Sequence, residues 1–96
     1  MKFEWDEEKN KINIRKHNVS FEDAETVFQD NFAVYLEDDE HSVDEERFII
    51  IGISETLDRE LYVCYCIRGE NDEVTRIISA RKATKQEIEL YKEGIK

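Results

Sequence analysis

The sequence holds no proline and three glycines among 96 residues, so no flexible linker is visible. It shows no internal repeat. No run approaches the roughly 18 apolar residues that read as a membrane span. Met1-Lys2-Phe3-Glu4-Trp5-Asp6 lacks the apolar centre of a secretion signal, so the cytoplasm is the expected compartment, with no membrane contact. Cys64 and Cys66 are the two cysteines, two apart in an apolar run. In a strand they point to one face side by side, which strains a disulfide. They read as small, reduced, buried residues. Without a CxxC pair no structural zinc site is expected, and no cofactor. P-loop, GxGxxG, GxSxG and HExxH motifs are missing, as is the ligand spacing of an EF-hand. Nucleotide binding on a phosphate loop and metalloprotease chemistry therefore find no support.

Positive charge is also missing over a long stretch. Val19 to Glu46 carries eleven acids and no Lys or Arg. The remaining 13 acids are set against all 14 bases, and the net charge is −10. The acidic stretch reads as a solvated surface, with attraction of a basic protein partner as the alternative. From Arg76 to Lys96 the balance reverses, with six bases and three acids, a candidate contact for a phosphate backbone. Hydrophobic residues at 40% and ten aromatics place the chain among folded proteins despite its acidity. The length fits one domain over residues 1–96 with one modest core.

Local chemistry marks the elements. Phe3 to Trp5 reads as a short opening strand. Asp6 caps a helix over Glu7 to His17, and Asn18 is a left-handed stop. Ser20 with Asp23 resembles a capping box, and Phe21, Ala24, Val27 and Phe28 give the second helix one apolar face ending near Asp30. Phe32 to Leu36 is a short strand, and Glu37 to Glu46 an acidic loop. Arg47 to Ser54, RFIIIGIS, reads as a central strand covered on both faces. Glu60 to Arg68 and Val74 to Arg81 follow after short turns, which implies an antiparallel meander. Thr84 and Glu87 form a TxxE box for a last helix whose face holds Ile88, Tyr91 and Ile95. The fold class is α+β: a short N-terminal strand, two helices, a meander and a C-terminal helix.

Three arginines near strand ends are candidate phosphate ligands: Arg68, Arg76 and Arg81. On a regular strand Arg81 shares a face with Thr75, Ile77 and Ser79, and Arg76 lies on the other. An unbulged strand cannot bring both to one site. Arg68 ends its strand at a turn and can join either group. The plainer reading is that all three pair with the many acids. His17 closes a helix, where a cation suits the C-terminus. His41 lies among carboxylates that favour its charged form, which makes it either a general acid or a loop residue. Glu46 is a candidate general base, one acid among 24. The face of Tyr62, Cys64 and Cys66 reads as core, not as a redox site.

These pieces together resemble a known family. Lys16-His17-Asn18-Val19-Ser20-Phe21-Glu22-Asp23-Ala24 with Val27-Phe28 is similar to the KHGVSFEEA…VF signature of BrnT-type toxins, and Trp5-Asp6-Glu7-Glu8-Lys9 fits ahead of it. His41-Ser42, Glu45-Glu46-Arg47-Phe48 and Ile51-Gly52 resemble the HS…EER…IG segment. Arg76 to Thr84 resembles the RIISAR-AT block, with Glu87 and Tyr91 beyond. Asn18 stands where the family usually has Gly, a change that a left-handed stop tolerates. The resemblance implies a RelE-like α+β fold and a ribonuclease toxin of a type II toxin–antitoxin pair that blocks translation. It implies a BrnA-like ribbon-helix-helix antitoxin, through which the complex reaches operator DNA. For a metal-independent endoribonuclease the matching positions suggest Arg81 and Arg68 for phosphate charge, Arg76 and Lys82 for the RNA backbone, and His41 or Glu46 for proton transfer. Tyr91 is a candidate contact for RNA or antitoxin, although its place beside Ile88 and Ile95 argues for core packing. The alternative is a non-catalytic binding module that acts as co-repressor with its antitoxin.

Overall fold

The computed structural model describes residues 1–42 and 45–94. Ile95, which the sequence places on the last helix, lies outside them. The first strand, β1, spans Lys2–Glu4. Helix α1 spans Glu7–His17, with the Asp6 carboxylate accepting from the Glu8 and Lys9 amides and Asn18 closing it at φ 58°. Helix α2, Phe21–Glu25, begins with a complete Ser20–Asp23 capping box. The chain then tightens into a 3-10 turn over Thr26–Gln29, so the second helix reaches Asp30 with only its first half α. At the change, the Thr26 hydroxyl donates to the Asp23 carbonyl at 2.7 Å and accepts the Glu55 amide at 3.0 Å. That side chain ties the turn to the sheet.

Four more strands follow: β2 (Val34–Glu37), β3 (Phe48–Ser54), β4 (Arg59–Arg68) and β5 (Val74–Lys82), before α3 (Lys85–Gly94). The spatial order is β1-β5-β4-β3-β2. Strands β2 to β5 form the expected antiparallel meander. Strand β1 joins β5 in parallel, so the sheet is mixed and β4 is its middle strand. The RFIIIGIS strand lies one place off centre. It is still buried over Ile49–Gly52, because helices cover both of its faces.

The two faces are covered unequally. On one, Val19, Phe21, Ala24 and Val27 pack on Ile50, Leu61, Val63, Tyr65, Ile77 and Ala80. Phe28 joins this layer edge-on, with Phe3 and Tyr65 each at 5.1 Å between ring centres. On the other face α3 covers one side only, through Tyr91 and Ile88 against Ile49, Ile51 and Ala83. The rest of that face stays open between α3 and the loop after β2.

A β-bulge decides what the open face carries. Tyr65 pairs with Ile77, but Cys64 pairs with Ser79, so Ile78 is an extra residue in β5. Alternation restarts there. Arg76, opposite Cys66, comes to the same face as Ser79 and Arg81, opposite Cys64 and Tyr62. The regular-strand expectation that Arg76 and Arg81 lie on opposite faces is overturned by this one residue.

Candidate active site

The open face is bounded by a pinned loop. The Asp38 amide donates to the Arg47 carbonyl at 2.9 Å. The Ser42 hydroxyl donates to the Asp38 carbonyl at 2.7 Å and accepts the Arg47 amide at 3.0 Å. Between them Asp39–His41 makes a single 3-10 turn. This brings His41 Nδ1 to 3.0 Å from both Asp38 carboxylate oxygens. With Nδ1 committed to Asp38, Nε2 is the ring nitrogen left for proton exchange. The pairing is the one that orients a catalytic imidazole in many hydrolytic sites.

Arg81 forms the opposite wall. Its guanidinium holds Glu87 in a fork, Nη1 to Oε1 at 2.7 Å and Nη2 to Oε2 at 2.9 Å. It also lies 4.0 Å above the centre of the Tyr62 ring. Glu87 in turn accepts the Thr84 amide at 2.8 Å, which completes the capping box of α3. Burial, with the Asp38 carboxylate adding to it, pushes the Tyr62 phenol above its ordinary range. The phenol is therefore a hydrogen-bond donor at neutral pH. Between the walls is a cleft of about 280 Å³ whose floor is Cys64, Ile78 and Ser79, with Arg47 beside Asp38 and His41. Arg47 Nε is buried and has no hydrogen-bond partner among the described residues. The site thus gathers two guanidiniums, an oriented imidazole and hydroxyl donors. That set can neutralise a phosphate and move a proton. A larger cavity, about 510 Å³, is lined by Glu45, Glu46, Phe48, Ile67 and Asp72 and offers a phosphate only negative charge.

The chain matches the family described as the ribonuclease toxin BrnT of type II toxin–antitoxin systems over residues 5–87. The chain belongs to the BrnT family. Among solved structures it is similar to the crystal structure of the Brucella abortus ribonuclease toxin BrnT, with 29% identity and a TM-score of 0.65, covering 88% of this chain and 99% of that one. Compared with curated protein sequences it has no match. Membership makes this chain a ribonuclease toxin whose type II pair supplies an antitoxin. No helix among the described residues is long and apolar enough to cross a membrane.

In this BrnT-family toxin, His41 and Arg81 share the cleft. Glu46 does not line it and opens instead onto the acidic side of the loop. Arg76 and Arg68 lie on the same face as Arg81, farther along. Arg68 is opposite Val74, six residues beyond Tyr62 on β4, or roughly 20 Å at about 3.3 Å per residue. It cannot reach the phosphate that Arg81 reaches. Each arginine is also paired: Arg68 with Glu45 at 2.9 Å, Arg76 with Glu4 at 2.7 Å, Arg81 with Glu87. Lys82 stands opposite Leu61, on the helix-covered side of the sheet and away from Arg81. Tyr91 is buried and donates to Asp30 at 2.6 Å. Burial first, and that hydrogen bond second, push its phenol up to about 12. Its side chain packs in the core against α3's neighbours on the sheet. Burial and Asp38 push the Cys64 thiol up to about 11, which disfavours its thiolate.

Sequence reasoning did not single out Asp38, Arg47 and Ser79, and it read the face of Tyr62 and Cys64 as core, whereas both line the cleft. Arg47 was within reach: alternation from the buried Ile49 and Ile51 puts it on the face of Tyr62 and Cys64.

The Arg81–Glu87 fork also has a consequence for pH. The hydrogen bond from Arg81 holds the Glu87 carboxyl below the usual range, although burial opposes it. A depressed carboxyl stabilises the fold above its unfolded value and loses that contribution as pH falls through the folded one. Denaturation midpoints of the wild type should therefore drop below about pH 4.5 more steeply than those of Glu87→Gln. Parallel curves from pH 3 to 6 would remove the fork from the stability of the α3 junction.

Proposed function

We propose that this toxin cleaves RNA in the cleft between His41 and Arg81 by a metal-independent transesterification. The 2′-hydroxyl oxygen bonds to phosphorus and the bond from phosphorus to the 5′ oxygen breaks. The products are a 2′,3′-cyclic phosphate and a 5′-hydroxyl. His41 gives its proton to the departing 5′ oxygen, and the 2′-hydroxyl proton leaves to water in the open cleft. Arg47 and Arg81 neutralise the phosphorane, with Tyr62 and Ser79 as further donors. Arg76 and Arg68 continue the track for the flanking backbone. The cut RNA stops translation in the cytoplasm. A BrnA-like ribbon-helix-helix antitoxin restrains the toxin and carries the pair to operator DNA.

The observation that carries this reading is the Asp38-oriented His41 on one face with Arg47 and Arg81. The test is incubation with end-labelled RNA in EDTA. Wild type should cut and leave cyclic phosphate ends. Arg47→Ala and Arg81→Ala should each lose about a hundredfold while keeping a folded spectrum. Expression of Arg81→Ala should no longer arrest growth. Growth arrest by that variant at normal expression would remove Arg81 from the site. A wild type that neither cuts RNA nor arrests growth would leave the co-repressor reading.

A further inference from the structure

The surface around β2 differs from the rest of the molecule. The strand ends the sheet, and among the described residues its outer edge has no strand neighbour. Natural edges are commonly guarded by short length, lysine or proline. This one is short and has neither. It presents Tyr35, 59% exposed, and exposed Leu36, with Phe32, 58% exposed, just before it. Beside Phe32 lies a groove of about 350 Å³ walled by Ile53 and Tyr91 and rimmed by Asp30 and Glu55. Glu37 ends the strand, Asp39 and Glu40 follow in the 3-10 turn, and no Lys or Arg occurs from Val19 to Glu46.

An open edge flanked by apolar side chains and ringed by acids selects its occupant. RNA is repelled by it. A second copy of the chain would bring a surface of the same sign, with no Lys or Arg from Val19 to Glu46 to offset it. A segment that sets apolar side chains beside Phe32 and Tyr35 and Lys or Arg beside the acids that follow satisfies the edge amides, the exposed rings and the charge together.

We propose that the open edge of β2 receives an extended, basic segment of the antitoxin as a sixth strand. Its apolar side chains cover Phe32 and Tyr35, and its cations face Glu37, Asp39 and Glu40. This deepens the function proposed above, and rests on the toxin–antitoxin pairing but not on the assignment of the cleft. Strand β2 runs directly into Asp38 and the turn that carries His41. A strand docked on it ends at the mouth of the cleft and fixes that loop.

The test uses the antitoxin encoded beside the toxin gene, purified and titrated onto the full toxin. Three toxins are compared: wild type, the double variant Tyr35→Lys with Leu36→Lys, and Ile12→Lys, an exposed position on α1. The double variant should bind about thirtyfold or more weaker. Ile12→Lys should match wild type, and wild-type affinity should fall with added salt. Amide exchange at residues 34–37 of the wild type should slow in the complex, a readout that needs no variant. Unchanged exchange there, or full affinity in the double variant, overturns the proposal. So does a dimeric free toxin that the double substitution makes monomeric, since the edge would then be filled by a second copy. Binding at this edge by a toxin that cuts no RNA would sink the cleft and leave the docking surface standing.

Discussion

His41→Ala should cut the rate of RNA cleavage by two to four powers of ten, the range for losing a positioned acid or base. The side chain is exposed, and its hydrogen bonds among the described residues go to Asp38 alone, so the fold should survive the change. Binding of RNA should change little, because the phosphate contacts assigned to Arg47 and Arg81 remain. Single-turnover rates with saturating RNA separate these two effects. Asp38→Asn gives a second reading of the same pair. An amide at this position fixes the ring and its tautomer less well. That variant should fall between wild type and His41→Ala. A rate within threefold of wild type for His41→Ala would place proton transfer elsewhere, and Glu46 across the loop would be the next group to replace.

For a protein with a net charge of −10, the proposed cleavage of RNA relies on segregation. Eleven acids fall between Val19 and Glu46 in the sequence, whereas the bulged strand turns its arginines to the open face. Arg76 and Arg81 are held by Glu4 and Glu87, and Arg68 at the end of β4 is held by Glu45. A phosphate must therefore take a guanidinium from a carboxylate and leave that carboxylate to water. Exposed pairs such as Arg68–Glu45 yield easily, since they are worth little in water. The Arg81 fork, stacked on Tyr62, yields less readily. Arg47 meets no such competition from its described neighbours.

Local chemistry was legible in the sequence, because a cap needs only its own few residues. Asp6, Asn18, the Ser20–Asp23 box and the Thr84–Glu87 box all act as read. The strands were legible from their apolar runs to within a residue or two. What alternation could not give was the bulge at Ile78, because nothing in VTRIISAR distinguishes the extra residue. One unread bulge split the arginines into two faces. The pairing of β1 with β5 was hidden as well, since a three-residue strand has no pattern of its own. The buried side of α1 was the least legible feature. It is made of Asn10 and Asn13, while Ile12 and Ile14 face outward.

That inverted helix leads to the largest expected effect on stability. The register of β1 against β5 runs only from Val74 to Arg76, and beyond it the outer edge of β5 needs another partner. Asn13 supplies one. Its side-chain oxygen accepts the Ala80 amide at 3.2 Å, and its nitrogen donates to the Ala80 carbonyl at 2.7 Å and the Val19 carbonyl at 2.8 Å. One amide thus stands in for a missing strand residue and ties the turn after α1 to the sheet. Asn13→Ala removes all three bonds and leaves buried backbone groups unpaired. At about 1–3 kcal/mol for each such group, partly relieved by relaxation, the loss should be about 3–5 kcal/mol. That is a large share of the roughly 5–15 kcal/mol that holds a small domain folded. Asn13→Asp should do no better, since it keeps the acceptor but loses both donors and buries a charge. Urea denaturation of the two variants beside Ile12→Ala, a solvent-facing control on the same helix, measures the difference. A loss below about 1 kcal/mol in Asn13→Ala would mean that water enters and satisfies the edge of β5. The polar seam under α1 would then be a hydrated contact instead of a substitute strand.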